Sequence, residues 1–306
     1  MAESSERDPR DYLDPKVLDQ IKRLDLRARL VVEGFVAGMH KSPYRGYSVE
    51  FAQHREYVPG DDIRFLDWKV FGKSDRLYVK EFEEETNLKA HIFLDQSESM
   101  SYGSERRKFD YAATMAASLG FLIQQQADSV ALELFDEGLL TQIPPSNSRA
   151  QVNKILKALS EAQPSGKTKI GRVLNELAEK QVRKGLVIVI SDLFDEPEEI
   201  LAALKHLRHR GQDVLLFHVL DRDEVDFPFQ RMTLFEGMEA MPELLCDPKS
   251  LREAYLAEVQ AFEEQVRKGC QAQKVDYQRV ITDQPLDVVL TTYLARRAAL
   301  SKAARR

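Results

Sequence analysis

The sequence predicts an α/β protein. A doubly wound, mostly parallel sheet spans 88–306, and a helix with a hairpin-and-loop segment precedes it over 1–87. Three observations carry this. From Leu88 onward, short apolar runs alternate with stretches of helical period, the rhythm of strand, crossover helix and strand. One run, "LVIVI" from Leu186 to Ile190, is apolar without a break, as a strand covered on both faces requires. Before Leu88 that rhythm is absent, and Gly46, Pro59-Gly60 and Gly72 cut the chain into short pieces.

Taken in order, residues 1–10 are polar and predict no element. From Pro15 to about Gly38 a helix is expected, with Val17, Leu18, Ile21, Leu24 and Leu26 set among Lys and Arg. "YSVEFAQ" and "DRLYVKEF" read as short strands among loops. "LKAHIFLD" is a strand. "RKFDYAATMAASLGFLIQQQ" is a helix with Phe109, Ala112, Ala113, Ala116, Leu119, Gly120 and Ile123 on one face. "SVALELF" is a strand, and "GLLTQIP" is its hairpin partner. Two helices follow, "SRAQVNKILKALSEA" and "KTKIGRVLNELAEKQ", and then the buried strand "GLVIVIS". The helix "PEEILAALKHLRHR" has Pro197 near its start, acids in its first turn and Gly211 past its end. "DVLLFHVL" is a strand. After a short interruption, Asp247-Pro248 opens a long helix. "KVDYQRVIT" is the last strand and "PLDVVLTTYLARRAALSK" the last helix.

Composition narrows the function. Hydrophobic residues make up 43% of the 306 and charged residues 31%, enough for a core and a solvated surface. A net charge of -6 offers no basic field for nucleic-acid phosphates. Cys246 and Cys270 stand far apart, without a CxxC pair or a neighbouring His. That argues against zinc and for a reducing compartment. The first thirty residues lack the apolar core of a signal peptide, and the longest apolar run is too short to span a bilayer. A cytoplasmic protein is expected.

The chemistry concentrates in "HIFLDQSESM", His91 to Met100. In open parallel sheets ligands sit beyond the carboxyl ends of the strands. Asp95 ends such a strand, and Ser97 and Ser99 follow on the loop. A carboxylate and two hydroxyls are hard oxygen donors, suited to magnesium, calcium or manganese and not to zinc or copper. Three donors are too few for an octahedral ion, so others must converge on them. Thr168 in "SGKTKI" and Asp192 at the end of "GLVIVISD" can do so.

Asp95-Gln96-Ser97-Glu98-Ser99, with the distant Thr168 and Asp192, resembles the metal-ion-dependent adhesion site of von Willebrand factor type A domains. The resemblance implies direct metal bonds from Ser97, Ser99 and Thr168, with Asp95 and Asp192 acting mostly through water. It also implies an open metal vertex for a partner's Glu or Asp. Ser42 to Glu85 resembles the signature of the bacterial "domain of unknown function 58" family. The hallmark there is Arg-Glu-Tyr-x-x-Gly-Asp-Asp-x-Arg-x-(apolar)-Asp-Trp, here Arg55 to Trp68, placed directly before a von Willebrand type A domain. That family implies a partner, an AAA+ ATPase of the MoxR type, in chaperone-like or metal-insertion work. By themselves Asp61, Asp62 and Asp67, alternating with Arg55, Arg64 and Lys69, read as a salt-bridged turn around Pro59-Gly60 with Trp68 as a packing anchor. The other reading is a partner-docking surface or a support for the metal.

The expected function is a non-enzymatic, metal-dependent protein-interaction module with magnesium, or manganese or calcium, as its cofactor. The alternatives are a magnesium-dependent phosphoester hydrolase and a scaffold with a vestigial site. The hydrolase has only Glu98 and Asp195 as unassigned acids nearby. Other motifs fail. "SGKT" lacks the first glycine of a P-loop, where Glu161 stands. Ser97 occupies the place of the second Asp of a haloacid-dehalogenase phosphatase, and no GxSxG elbow occurs. His206 and His209, beside Lys205, Arg208 and Arg210, read as a solvated basic helix end. Glu81 to Glu85 reads as a solvated face and His91 as a structural residue.

Overall fold

The computed structural model describes residues 49–293 except 60, 62–65, 75, 85–87, 149, 181–183 and 240–241. The helix expected over Pro15–Gly38, and Asp62 and Arg64 of the signature, lie outside the described residues. Two compact units divide the described chain, one within Glu33–Asn87 and the other from Leu88 onward.

In the smaller unit, β1 (Val49–Glu56) and β2 (Tyr78–Glu84) pair antiparallel. Between them lies the short helix α1 (Trp68–Ser74). Asp67 starts it. Its carboxylate accepts the Lys69 N–H at 2.9 Å and the Val70 N–H at 3.2 Å, satisfying donors that a helix start leaves open. The same carboxylate pairs with His54 at 3.0 Å. Arg55 reaches Asp61 at 2.8 Å, and Asp61 also accepts the Val58 N–H at 2.8 Å. Of the salt-bridged turn expected around Pro59-Gly60, the described residues include the Arg55–Asp61 pair, while Asp67 pairs with His54. The anchor role expected of Trp68 is absent, since its side chain is 63% exposed and Asp67 is the buried member of the pair. Successive helix residues point about 100° apart. With Asp67 turned inward to cap α1, Trp68 turns out to solvent.

The larger unit is built on a six-stranded sheet. Its strands are β3 (Lys89–Asp95), β4 (Ser129–Phe135), β5 (Leu139–Ser146), β6 (Leu186–Ser191), β7 (Asp213–Leu220) and β10 (Asp276–Ile281). The order is β10-β7-β6-β3-β4-β5, with only β5 antiparallel, as the partner of β4. Helices cover both faces: α2 (Lys108–Gln125), α3 (Gln151–Glu161), α4 (Ile170–Lys180) and α5 (Pro197–His209). A short α6 (Arg222–Asp226) follows β7. A hairpin of β8 (Thr233–Phe235) and β9 (Leu244–Cys246) leads into α7 (Pro248–Ala272), and residues 286–293 form α8. The expected fold class is the one observed. The hairpin falls where the sequence showed only an interruption, because its three-residue strands are too short to set up a period.

Alternation along β3 divides the core. Phe93 packs into the cluster with Ile170, Val173, Val189, Ile200 and Val266, from α4, β6, α5 and α7. Ile92 faces the other way. A Cβ at Gly120 of α2 would lie 3.9 Å from Ile92 Cδ1 and 3.5 Å from Ile155 Cδ1 of α3. So α2 is sandwiched between sheet and helix, and 14 of its 18 residues are buried, well beyond the single face expected.

The order of the strands makes the crevice. From β3 the chain winds outward through β4 and β5, then returns to β6 on the other side and winds through β7 to β10. β3 and β6 are neighbours whose following loops diverge, which is the switch point where α/β sheets open at their carboxyl edge. No described helix is long and apolar enough to cross a membrane.

Candidate metal centre

Asp95 ends β3 and is wholly buried. The chain turns at once. The Ser97 N–H donates to Asp95 Oδ1 at 2.9 Å, and a 3₁₀ turn runs over Glu98–Ser101 with Met100 buried beneath it. That turn brings the Ser97 and Ser99 hydroxyls within 3.0 Å of each other. A second loop lies alongside. Gln96 donates from its side chain to the Gln163 carbonyl at 2.8 Å and accepts the Ser165 N–H on its own carbonyl at 2.9 Å. The Glu98 N–H donates to the Gly166 carbonyl at 2.9 Å. Gly166 has φ 78°, and a Cβ there would come within 2.7 Å of Asp136 Oδ2. The glycine of "SGKT" thus serves a turn. Two residues on, Thr168 is buried with its hydroxyl 3.4 and 3.3 Å from the Asp95 oxygens.

Asp192 follows β6. It is buried, and its charge acts on Asp95. Ser191 donates its hydroxyl to Asp95 Oδ2 at 2.6 Å and accepts the Leu193 N–H at 2.9 Å. Leu193 is held at φ 58° with its side chain fully buried, a left-handed conformation rare for such a residue and often found where a site fixes the backbone. Burial first, and the Asp192 charge second, push the Asp95 carboxyl well above the usual range. All five expected residues therefore gather at one crevice.

The sequence reading missed three neighbours. Lys108, first residue of α2, is 2% exposed and places Nζ 2.7 Å from Asp192 Oδ2 and 2.6 Å from Glu224 Oε1. Its burial alone would lower the ammonium's pKa, but the two carboxylates outweigh that and hold it above the ordinary lysine range. Ser191, next to Asp192, orients Asp95. Glu239, on the loop after β8, is 8% exposed and adds a third carboxylate. Its N–H donates to Glu98 Oε2 at 2.7 Å. Burial pushes its carboxyl up, the Thr168 N–H and Ser99 hydroxyl that face it pull it down, and the Asp192 charge raises it further. A cationic helix start opposes the helix dipole, so Lys108 at the head of α2 was a signal the sequence did carry. Glu239 left none.

The donor set fits a hard divalent ion. Asp95, Asp192, Ser97, Ser99 and Thr168 present oxygen only, three of the five as neutral hydroxyls. Glu239 Oε1 is buried without a hydrogen-bond partner. Buried polar atoms seldom go unpaired, and either a cation or the proton favoured by its raised pKa would relieve this one. Among the described residues no group of three His, Cys, Asp or Glu is poised to hold a metal, so the hydroxyls are indispensable to any site here.

Residues 53–265 match the family described as "Protein of unknown function DUF58". The chain is 25% identical over 300 residues to the uncharacterized protein Rv1480 of Mycobacterium tuberculosis, covering 95% of this chain and 93% of the relative. Among solved structures, the conserved hypothetical protein BatB from Bacteroides thetaiotaomicron is 17% identical with a TM-score of 0.47, over 69% of this chain and 99% of its own. The SpRpn10 VWA domain is 11% identical with a TM-score of 0.40, over 68% of this chain and 95% of its own.

Proposed function

This chain belongs to the DUF58 family and carries a von Willebrand type A-like unit, and from that premise we propose that it is a metal-dependent protein-interaction module. The observation that supports this best is the gathering of Asp95, Ser97, Ser99 and Thr168 at the β3/β6 switch point, with Asp192 beside them. A divalent ion held there would stay electrophilic and offer a vertex to a partner's carboxylate. The chain's own residues set the geometry. The Ser97 N–H and Ser191 hydroxyl fix Asp95. Lys108 fixes Asp192. The Gly166 turn delivers Thr168.

The two acids that the sequence offered a hydrolase as general base are both engaged, while Glu239 keeps an unpaired oxygen. Asp195 accepts the Gly171 N–H at 3.3 Å, and Glu98 accepts the Glu239 N–H at 2.7 Å. The partner suggested by the family resemblance is a MoxR-type AAA+ ATPase, with magnesium as the ion. The test uses the purified ATPase of that type from the same genome. Its affinity is measured with magnesium, with a chelator, and against Asp95→Ala. Binding should need both the metal and Asp95; equal affinity in all three arms refutes metal dependence.

A further inference from the structure

We infer that Glu239 is an intrachain ligand of this metal centre and occupies the vertex that a partner's carboxylate must take. The inference rests on reading the Asp95 cluster as a metal site. It goes beyond that reading by naming what fills the vertex when no partner is bound.

The backbone N–H of Glu239 is held by Glu98, and its carboxyl lies near enough to the Thr168 N–H and the Ser99 hydroxyl for both to lower its pKa against burial. One of its oxygens, Oε1, is buried and has no hydrogen-bond partner. A carboxylate oxygen without a donor near the Asp192 carboxylate is costly unless a cation stands against it or a proton neutralises it. The backbone is committed to this placement. Glu239 lies at φ 55°, a left-handed conformation that costs a non-glycine residue. Its N–H is tied to Glu98, a residue of the DxSxS loop itself. The positive φ and the tie together fix the backbone from which this acidic side chain projects. The chemistry is the same as the partner's, so the two compete. An intrachain carboxylate needs no encounter, and an arriving one binds only by displacing it, which weakens its apparent affinity.

Manganese alone is the probe, since its inner-sphere waters are counted by water-proton relaxation. Wild type, Glu239→Gln, Glu239→Ala and Asp95→Asn are titrated after their melting curves establish that each is folded. Glu239→Gln keeps the side chain's size and removes only its charge, so it carries the test if the alanine variant is unstable. Both Glu239 variants should bind manganese about tenfold more weakly. Their complexes should gain an exchanging water that millimolar acetate then removes, while wild type ignores acetate. If both variants match wild type in affinity and relaxation while Asp95→Asn loses the ion, the centre stands and Glu239 is no ligand of it. If wild type takes up no manganese, the metal reading falls and this inference falls with it.

Discussion

Two buried aspartates stand at the same edge of the same sheet and behave oppositely. Asp95 ends β3, and Asp221 follows β7; they are 0% and 1% exposed. Asp221 accepts four donors. These are the Asp223 N–H at 3.0 Å, the Ser104 hydroxyl at 3.0 Å, the Ser104 N–H at 3.2 Å and the Thr282 hydroxyl at 2.8 Å. Burial pushes its carboxyl up, but these donors outweigh burial and hold it below the usual range. Asp95 has the Ser97 N–H and the Ser191 hydroxyl, a distant Thr168, and a second carboxylate beside it, and its carboxyl is raised. The difference teaches what separates a staple from a site. Asp221 spends its acceptor capacity joining the loops after β3, β7 and β10. Asp95 accepts only two close donors, with Thr168 longer, and stands beside a second carboxylate.

Lys108 joins the two regions. One carboxylate it holds is Asp192, and the other is Glu224, whose Oε2 accepts the Asp221 N–H at 2.7 Å in the capping box of α6. Lys108→Met removes the shared cation and should show the largest effect, about 3–5 kcal/mol of lost stability, because it leaves buried carboxylates unpaired. Urea denaturation with and without magnesium reads it. If the Asp95 side takes up a cation, magnesium recovers part of the loss. A loss that magnesium leaves untouched breaks the contrast.

Next in size is the direct pair. Asp221→Ala orphans two hydroxyls and two N–H groups and should cost about 2–3 kcal/mol. Asp95→Asn removes a charge that burial disfavours and should stay within about 1 kcal/mol of wild type without metal. Equal costs for the two variants would mean that Asp95 is as much a staple as Asp221.

The fold was largely legible because its signals are local. "LVIVI" reports a strand buried on both faces, and Asp247-Pro248 reports a helix start, whatever the rest of the chain does. The DxSxS spacing is local too, and it led to Thr168 and Asp192 through their places beside other elements. What escaped notice depends on contacts between distant segments. Glu239 meets Glu98 across 141 positions, with no periodicity around it. Trp68 looked like an anchor by size alone, yet the cap made by Asp67 decides its direction. The helix α2 is buried nearly all round because small residues fill the faces between its large ones, in "YAATMAASLG". A periodicity reading weighs large apolar residues and passes over that.

Asp128 sharpens the contrast with the smallest effect. It lies at the opposite edge of the sheet, just before β4, and is 8% exposed. Its carboxylate's one hydrogen bond among the described contacts is from the Leu88 N–H, at 3.0 Å. Burial raises its carboxyl from 3.8 to about 6, and that one donor only partly opposes the shift. The sign follows from proton counts. Between pH 4 and pH 6 the folded chain holds a proton that the unfolded chain has released, so stability falls as pH rises through this window and then levels. Asn in its place still accepts the Leu88 N–H and never ionises. Asp128→Asn should therefore match wild type near pH 4 and exceed it by about 1–2 kcal/mol at pH 7. Denaturation midpoints across that range read the difference. An offset that does not change with pH would mean that donor count does not set the charge state of these buried aspartates, and the distinction between Asp95 and Asp221 would lose its physical basis.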